Sequence, residues 1–278
     1  MASLPVDRPL SAKSGRVKTA RRLARRNSRA EQGLFLAEGA KALTEALHCG
    51  GVVEVFASEA ASEEYAALRK AVDDAGVPWL LSDDAAVSSL SGAVTPQGIV
   101  AVCRFLDVDL NTLLDPTSVE LVETPHTLVI CADVRDPGNA GTVIRTADGS
   151  GADGVVLAGH SVDPYNDKTV RATVGSLWHL PVALHDEPAE VVRRAQAAGF
   201  VVLAADGAGE TDLFEAEASG LLDGKIAWLF GNEAWGLPDE LAALADHRVS
   251  IPIYGRAESL NLSTAAAVCL YAGARRRA

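Results

Sequence analysis

From residue 127 to the C-terminus the chain repeats one unit: a short, largely apolar run, a polar or Gly-bearing turn, then a segment with apolar residues at helical spacing. Runs of four to six residues that are apolar at every position suit strands buried on both faces, and parallel strands joined by crossover helices need that burial. Strands are expected over 127–132, 154–159, 180–183, 201–204, 226–230 and 249–251, with helices over 139–149, 168–176, 188–198, 238–245 and 261–275. The pattern predicts an α/β domain with a mostly parallel sheet, which presents ligands to the loops at its strand ends.

The first hundred residues follow a similar rhythm on a smaller scale. A basic helix is expected over 14–30, with Val17, Ala20, Leu23 and Ala24 on one face. Strands over 35–39, 52–57 and 77–81, and a turn with a last strand within 95–103, alternate with helices over 40–48, 63–75 and 83–90, a small α/β domain. Residues 106–125 carry Asp107, Asp109, Asn111, Asp115, Pro116 and Pro125 and read as a linker, with a short helix around 110–114. The expected division is 1–106, a linker over 107–125, and 126–278.

Net charge is −12, which taken alone disfavours a nucleic-acid partner, but its distribution reverses that inference. Residues 1–30 hold nine basic side chains against Asp7, a local +8 that leaves −20 for the rest. A basic arm including Arg21, Arg22, Arg25, Arg26 and Arg29, with Arg275, Arg276 and Arg277 closing the chain, suits phosphate contacts. A solvated basic helix with no partner has the same composition.

Other classes find little support. No apolar run approaches a bilayer span, and the Arg-rich start lacks the apolar core of a secretory signal. Cys49, Cys103, Cys131 and Cys269 are scattered among apolar neighbours without a CxxC pair, which suggests buried thiols in a reducing cytoplasm and neither zinc nor disulfides. The GxGxxG match at Gly149, Gly151 and Gly154 follows a helix and precedes a strand, the reverse of the order a dinucleotide site needs. A nicotinamide-dependent oxidoreductase is disfavoured on that ground.

Three loops concentrate the polar residues: Asp136-Pro137-Gly138-Asn139-Ala140-Gly141-Thr142-Val143-Ile144-Arg145-Thr146-Ala147; Leu229-Phe230-Gly231-Asn232-Glu233-Ala234-Trp235-Gly236-Leu237-Pro238; and Ser259-Leu260-Asn261-Leu262-Ser263. In this order they resemble the three signature motifs of the SpoU/TrmH RNA 2′-O-methyltransferases, with Ala234 where that family usually has glycine. The run from Phe35 to Gly39 and that from Thr95 to Val102 are similar to the ribosomal-protein-like substrate-binding domain many members carry.

The resemblance implies a trefoil-knotted methyltransferase domain behind a small RNA-binding domain, S-adenosylmethionine as cofactor, structured RNA as substrate and a homodimer that completes its sites between subunits. It favours ribosomal over transfer RNA; a non-catalytic RNA-binding or ribosome-assembly protein that kept the fold is the alternative. By resemblance, backbone around Ala204, Gly231, Ile251 and Leu260 forms the cofactor pocket, while Arg145, Asn139, Glu233, Asn261 and Ser259 serve the chemistry. The residues alone leave other roles open: Gly231 as a turn glycine, Leu260 as core, and Asn139, Ser259 and Asn261 as helix caps. Arg145 is proposed in the family to activate the ribose hydroxyl. A guanidinium with pKa above about 12 is a poor base, so phosphate binding and local positive charge are the more natural role. Arg171, in a further family-like segment, is expected to face RNA or a partner subunit, and His179 to be a satisfied, half-buried histidine.

Overall fold

The structure is a computed structural model that describes residues 8–115 and 127–275. Residues 116–125 of the expected linker, Asp7, Arg276 and Arg277 lie outside the described residues. Two compact units are present, and they are not contiguous in sequence. One comprises residues up to Phe105 together with Tyr165–Trp178; the other comprises Leu106–Pro164 and the chain from His179 onward.

In the first unit, helices α1 (Gly15–Arg21) and α2 (Arg26–Gln32) precede strand β1 (Leu34–Glu38), α3 (Ala40–His48) and β2 (Val52–Ala57). Helices α4 (Glu59–Glu64) and α5 (Ala66–Asp74) then lead to β3 (Trp79–Leu81), α6 (Asp84–Ser88) and β4 (Ile99–Arg104). The sheet order is β1-β4-β2-β3; β4 runs antiparallel to both neighbours, and β3 is parallel to β2. Val17, Ala20 and Leu23 pack on Phe56, Val87, Val100 and Val102, so the apolar face expected of the basic segment is the buried one, apart from exposed Ala24.

That segment is not one helix. After α1 the chain tightens into a 3-10 turn at Arg22–Ala24, and Arg25 is extended at φ −97° and ψ 132°. Arg29 explains the break. Its side chain is 4% exposed and donates from Nη1 to the carbonyls of Leu23 (2.9 Å) and Ala24 (3.0 Å), which a continuous helix would have used internally. Arg29 is therefore structural, whereas Arg21, Arg22, Arg25 and Arg26 are exposed. The expected helix over 63–75 is likewise two, because Ser58 caps an earlier start at Ala61 N and Tyr65 leaves helical geometry at ψ 39°.

The second unit holds α7 (Leu110–Leu114), β5 (Thr127–Ala132), α8 (Pro137–Gly149) and β6 (Gly154–Ala158). After α9 (Asp167–Thr173), which belongs to the first unit, come β7 (Val182–His185), α10 (Pro188–Ala197), β8 (Val201–Ala205), β9 (Thr211–Asp212) and α11 (Leu213–Ala218). It closes with β10 (Ile226–Phe230), α12 (Asp239–Ala242), β11 (His247–Ser250) and α13 (Leu262–Ala274). Seven strands lie in the order β7-β6-β5-β10-β8-β11-β9, every neighbouring pair parallel. β5, β6 and β10 are buried at every residue, as their unbroken apolar runs require. One face packs Leu128, Ile130, Val156 and Leu229 against Val191, Val192 and Ala195 of α10 and the three leucines of α7. Helices α8 and α13 pack on each other, with Val143, Ile144, Ala266 and Leu270 buried.

Residues 106–114, expected as linker, thus belong to this core: Val108 N donates to Val182 O at 2.9 Å, and Leu110 and Leu113 are 3% and 2% exposed. Of the polar residues that suggested a linker, Asp109 caps α7 by accepting from Asn111 N at 2.8 Å, and Asn111 accepts from Arg194. β9 and α11, initiated by the Asp212 cap, were not expected. Cys103, Cys131 and Cys269 are buried, and burial pushes each thiol up to about 12; Cys49, by contrast, is exposed.

Candidate functional site

Parallel sheets bind ligands where the direction of strand succession reverses, because the flanking loops part there. In the second unit the chain leaves β5 towards β6 and β7 on one side, while β10, β8 and β11 fill the other. The loops after β5 and β10 therefore meet at their carboxyl ends, joined by those after β8 and β11.

The loop after β5 is fixed by polar contacts. Asp133 takes a left-handed conformation at φ 57° and its carboxylate accepts from His160 N at 2.7 Å. Val134 N donates to the buried Ser161 hydroxyl at 3.0 Å. Asp136 caps α8 by accepting from Asn139 N at 2.7 Å, with Pro137 in the first turn. Asp136, not Asn139, is thus the cap, and the Asn139 side chain is free for other work.

That work links the loops. Glu233 accepts from Asp136 N at 2.9 Å, Arg135 N at 3.1 Å and Asn139 Nδ2 at 3.4 Å. Asn139 Oδ1 in turn accepts from Asn261 Nδ2 at 3.0 Å. Asn261 also caps α13, its Oδ1 accepting from Ser263 N at 2.9 Å and the Ser263 hydroxyl at 2.7 Å. Residues from three loops, 122 positions apart at the extreme, form one chain of hydrogen bonds from Glu233 through Asn139 to Asn261. The carboxylate thus holds two backbone amides and one side-chain amide.

Asn232, not among the residues expected at the site, holds its loop together. Only 5% exposed, it donates from Nδ2 to Asp133 O at 2.7 Å, accepts from Ala234 N at 2.8 Å, and exchanges two backbone bonds of 2.9 Å with Gly236. Its signal was present: a polar side chain directly after a fully buried strand must find partners inside the loop.

A cavity of about 570 Å³ opens between the ends of β8, β10 and β11. Gly231, Ile251 and Leu260 line it, and so does Ser259, which was assigned to the chemistry rather than to the pocket. Ala204 does not: it is wholly buried in the core, and Ala205, one residue on at the strand end, is the lining residue. Asp206, Glu233 and Glu258 contribute carboxylates, and the lining includes no Lys, Arg or His. With Ile251, Pro252 and Leu260 offering apolar surface, the chemistry suits a ligand with a flat apolar ring and a positive charge, and opposes a polyphosphate. An open groove lies beside this cavity, lined by Arg135, Asn139, Trp235 and Asn261 among others, and the two share Asn232, Glu233 and Ala234. Cys131, below the site, is no nucleophile: burial, reinforced by the charge of Glu233, keeps the thiol protonated.

Gly231 is required by its own loop. A Cβ there would lie 2.3 Å from the Gly236 carbonyl carbon and oxygen and 2.5 Å from Leu237 N, all backbone atoms that cannot step aside. Gly231→Ala should therefore destabilise the protein by about 1–3 kcal/mol, seen as a melting point several degrees lower. An unchanged melting temperature would contradict this packing.

The remaining expected residues lie elsewhere. Arg145 is exposed on α8 and lines neither cavity nor groove. Arg171 is in the first unit, 3.1 Å from Asp167 and 3.7 Å from Glu38, so its charge is already met. His179 pairs with Asp148 through Nδ1 at 3.0 Å.

Comparison with known proteins agrees with this geometry. Residues 126–271 match the model of the SpoU rRNA methylase family, and residues 15–101 match the MRM3-like substrate binding domain. The chain is 32% identical to the 23S rRNA (guanosine(2553)-2′-O)-methyltransferase of Bacillus subtilis, covering 94% of this chain and 96% of that protein. It is 31% identical to the 23S rRNA (uridine(2479)-2′-O)-methyltransferase of Streptomyces viridochromogenes, over 92% of this chain and 87% of that one. Among solved structures, an AdoMet-bound rRNA methyltransferase from Sinorhizobium meliloti superimposes with a TM-score of 0.82 at 32% identity, covering 96% of each chain. With its sheet, its three linked loops and more than half its length matched, this chain belongs to the SpoU rRNA methylase family.

Proposed function

We propose that the protein is an S-adenosylmethionine-dependent rRNA 2′-O-ribose methyltransferase acting on 23S rRNA. The observation that carries this reading is the wall formed by residues 232–234, with the acidic, apolar cavity on one side and the Asn139–Glu233–Asn261 groove on the other. Such a wall lets a cationic methyl donor and a ribose meet without either displacing the other. The relatives named above act on 23S rRNA by their own descriptions.

S-adenosylmethionine supplies, when bound, an electrophilic methyl group. Ile251, Pro252 and Leu260 would hold its adenine, and the carboxylates of Asp206 and Glu258 match its positive charge. Glu233 and Asn261 hold Asn139 in place to orient the ribose, and Ser259 sits on the cavity side of the same loop. Arg145 lowers the hydroxyl's pKa by its charge and contacts the adjoining phosphate. Six residues beyond Asn139 on α8, it is about 9 Å along the axis and turned by about 240°. We take it to serve the groove of a second copy rather than its own, in the homodimer that the family resemblance implies. Exposed Arg21, Arg22, Arg25 and Arg26 in the first unit add phosphate contacts. Among the described residues no helix is long and apolar enough to cross a membrane, and a cytoplasmic location is part of the same proposal.

The test is transfer of labelled methyl to an unmodified 23S rRNA transcript, with the modified ribose mapped. Transfer to one 2′-oxygen is expected, and Asn139→Ala should lower kcat by about 10²-fold. Transfer to transfer RNA transcripts instead would reassign the substrate, and transfer to neither would refute the reading.

A further inference from the structure

Trp235 is a large aromatic side chain left in water. Its exposure is 54%, whereas Trp178 and Trp228 are 7% and 0% exposed. An indole gains by burying its ring, so one held open beside a groove asks for a partner. Its backbone is not loose. The paired bonds between Asn232 and Gly236 close the turn that carries it, and the Asn232 side chain ties that turn to Asp133.

The ring is also held from outside the turn. The Arg135 guanidinium carbon lies 5.1 Å from its centroid, within cation–π range. Arg135 is anchored in turn, because its backbone N–H donates to Glu233. Glu233 thus organises Asn139 on one side and the Arg135–Trp235 pair on the other, and all four residues line the same groove. A rigid aromatic ring with an arginine against it is the arrangement with which proteins hold unpaired nucleic-acid bases: the ring stacks on any base and the cation meets the backbone charge.

We infer that Trp235, held by Arg135, is the stacking platform for an unpaired base at or next to the methylated nucleotide, and thereby a positioning residue for the reaction. The inference rests on the RNA methyltransferase reading above. It requires the target to be a single-stranded loop or bulge, since a base paired within a helix offers no free face. A stack contributes to holding the RNA and not to the methyl donor, so its loss should appear in KM for RNA.

The test compares Trp235→Phe, Trp235→Leu and Trp235→Ala in the full-length protein, with unmodified 23S rRNA transcript and saturating S-adenosylmethionine. Leucine and alanine should raise KM for RNA about ten- to a hundredfold, with kcat and cofactor affinity near wild type. Phenylalanine, which keeps an aromatic face, should recover most of that loss. An unchanged KM in the alanine variant, or a leucine variant equal to wild type, overturns the proposal. So does lost cofactor binding or an altered oligomeric state in Trp235→Ala, since the ring would then support the loop or a contact between copies. A second measurement separates this inference from the choice of substrate. Titration with an octamer of adenylate should quench tryptophan fluorescence in the wild type and not in Trp235→Phe. If the 23S transcript accepts no methyl yet this quenching is seen, the substrate assignment fails and the platform stands; absence of quenching removes the platform.

Discussion

Arg145→Ala should yield a folded protein that binds S-adenosylmethionine normally and transfers no methyl group. The side chain is exposed and makes no hydrogen bond or ion pair among the described residues, so removing it disturbs no packing and stability should change by less than about 0.5 kcal/mol. Nor does it line the cavity at the ends of β8, β10 and β11. An arginine that its own fold leaves unused, on the helix that carries Asn139, is available to a substrate. Its position on α8 supplies a second, sharper expectation. If each site combines Asn139 of one copy with Arg145 of the other, then Arg145→Ala and Asn139→Ala homodimers are both inactive. Co-expressed chains should recover about a quarter of wild-type activity, since half the dimers are mixed and each mixed dimer has one intact site. Activity measured on the co-expressed protein decides the point. No recovery would place both residues in one chain's site, and turnover within a few-fold of wild type for Arg145→Ala alone would remove it from the chemistry.

Arg145 also shows which inferences the sequence could support. An arginine among Ala140, Val143, Ile144 and Ala147 reads as a charge on an apolar helix that must be paired, yet those four are buried and Arg145 faces away from them. Helical periodicity carried that information. The parallel sheet was legible for a simple reason: a strand buried on both faces must be apolar throughout, and β5 and β10 occupy the residues their runs indicated. The breaks were not. Arg29 splits the basic segment through side-chain bonds to carbonyls five and six residues before it, and nothing in local composition separates that arginine from its exposed neighbours. At the site, Glu233, Asn139 and Asn261 could be chosen as polar residues at strand ends, but their linkage depends on register across the sheet. β5 and β10 pair so that Cys131 lies opposite Phe230, which brings the two loops together. The backbone expected around Ala204 meets the cavity at Ala205, the residue that ends β8, while Ala204 itself is buried in the core.

The division of labour between the two units should depend strongly on where the chain is cut. A fragment beginning at Leu106 keeps α7, the whole seven-stranded sheet and every residue lining the cavity, and should bind S-adenosylmethionine with near-native affinity. One beginning at Glu120 lacks Leu110, Leu113 and Leu114, all buried against the sheet. Each buried leucine contributes about 2–5 kcal/mol, so losing three is comparable with the roughly 5–15 kcal/mol that holds a domain together. The shorter fragment should therefore fail to fold, although its strand motifs are complete. Even the longer one will carry a scar. Tyr165 stacks on Phe105 at 4.0 Å and lies 4.7 Å from Phe35, and Trp178 lies 6.0 Å from Phe35. Without those partners residues 165–178 should become the first site of protease cleavage, and Trp178 emission should move to the red. RNA affinity should fall, and its salt dependence should flatten by roughly three in log–log slope with the loss of Arg21, Arg22, Arg25 and Arg26. Cofactor binding, limited proteolysis and RNA binding at several salt concentrations, measured on both fragments and the full chain, separate these expectations. Equal stability of the two fragments would remove α7 from the core, and undiminished RNA affinity of the longer one would take the first unit out of substrate binding.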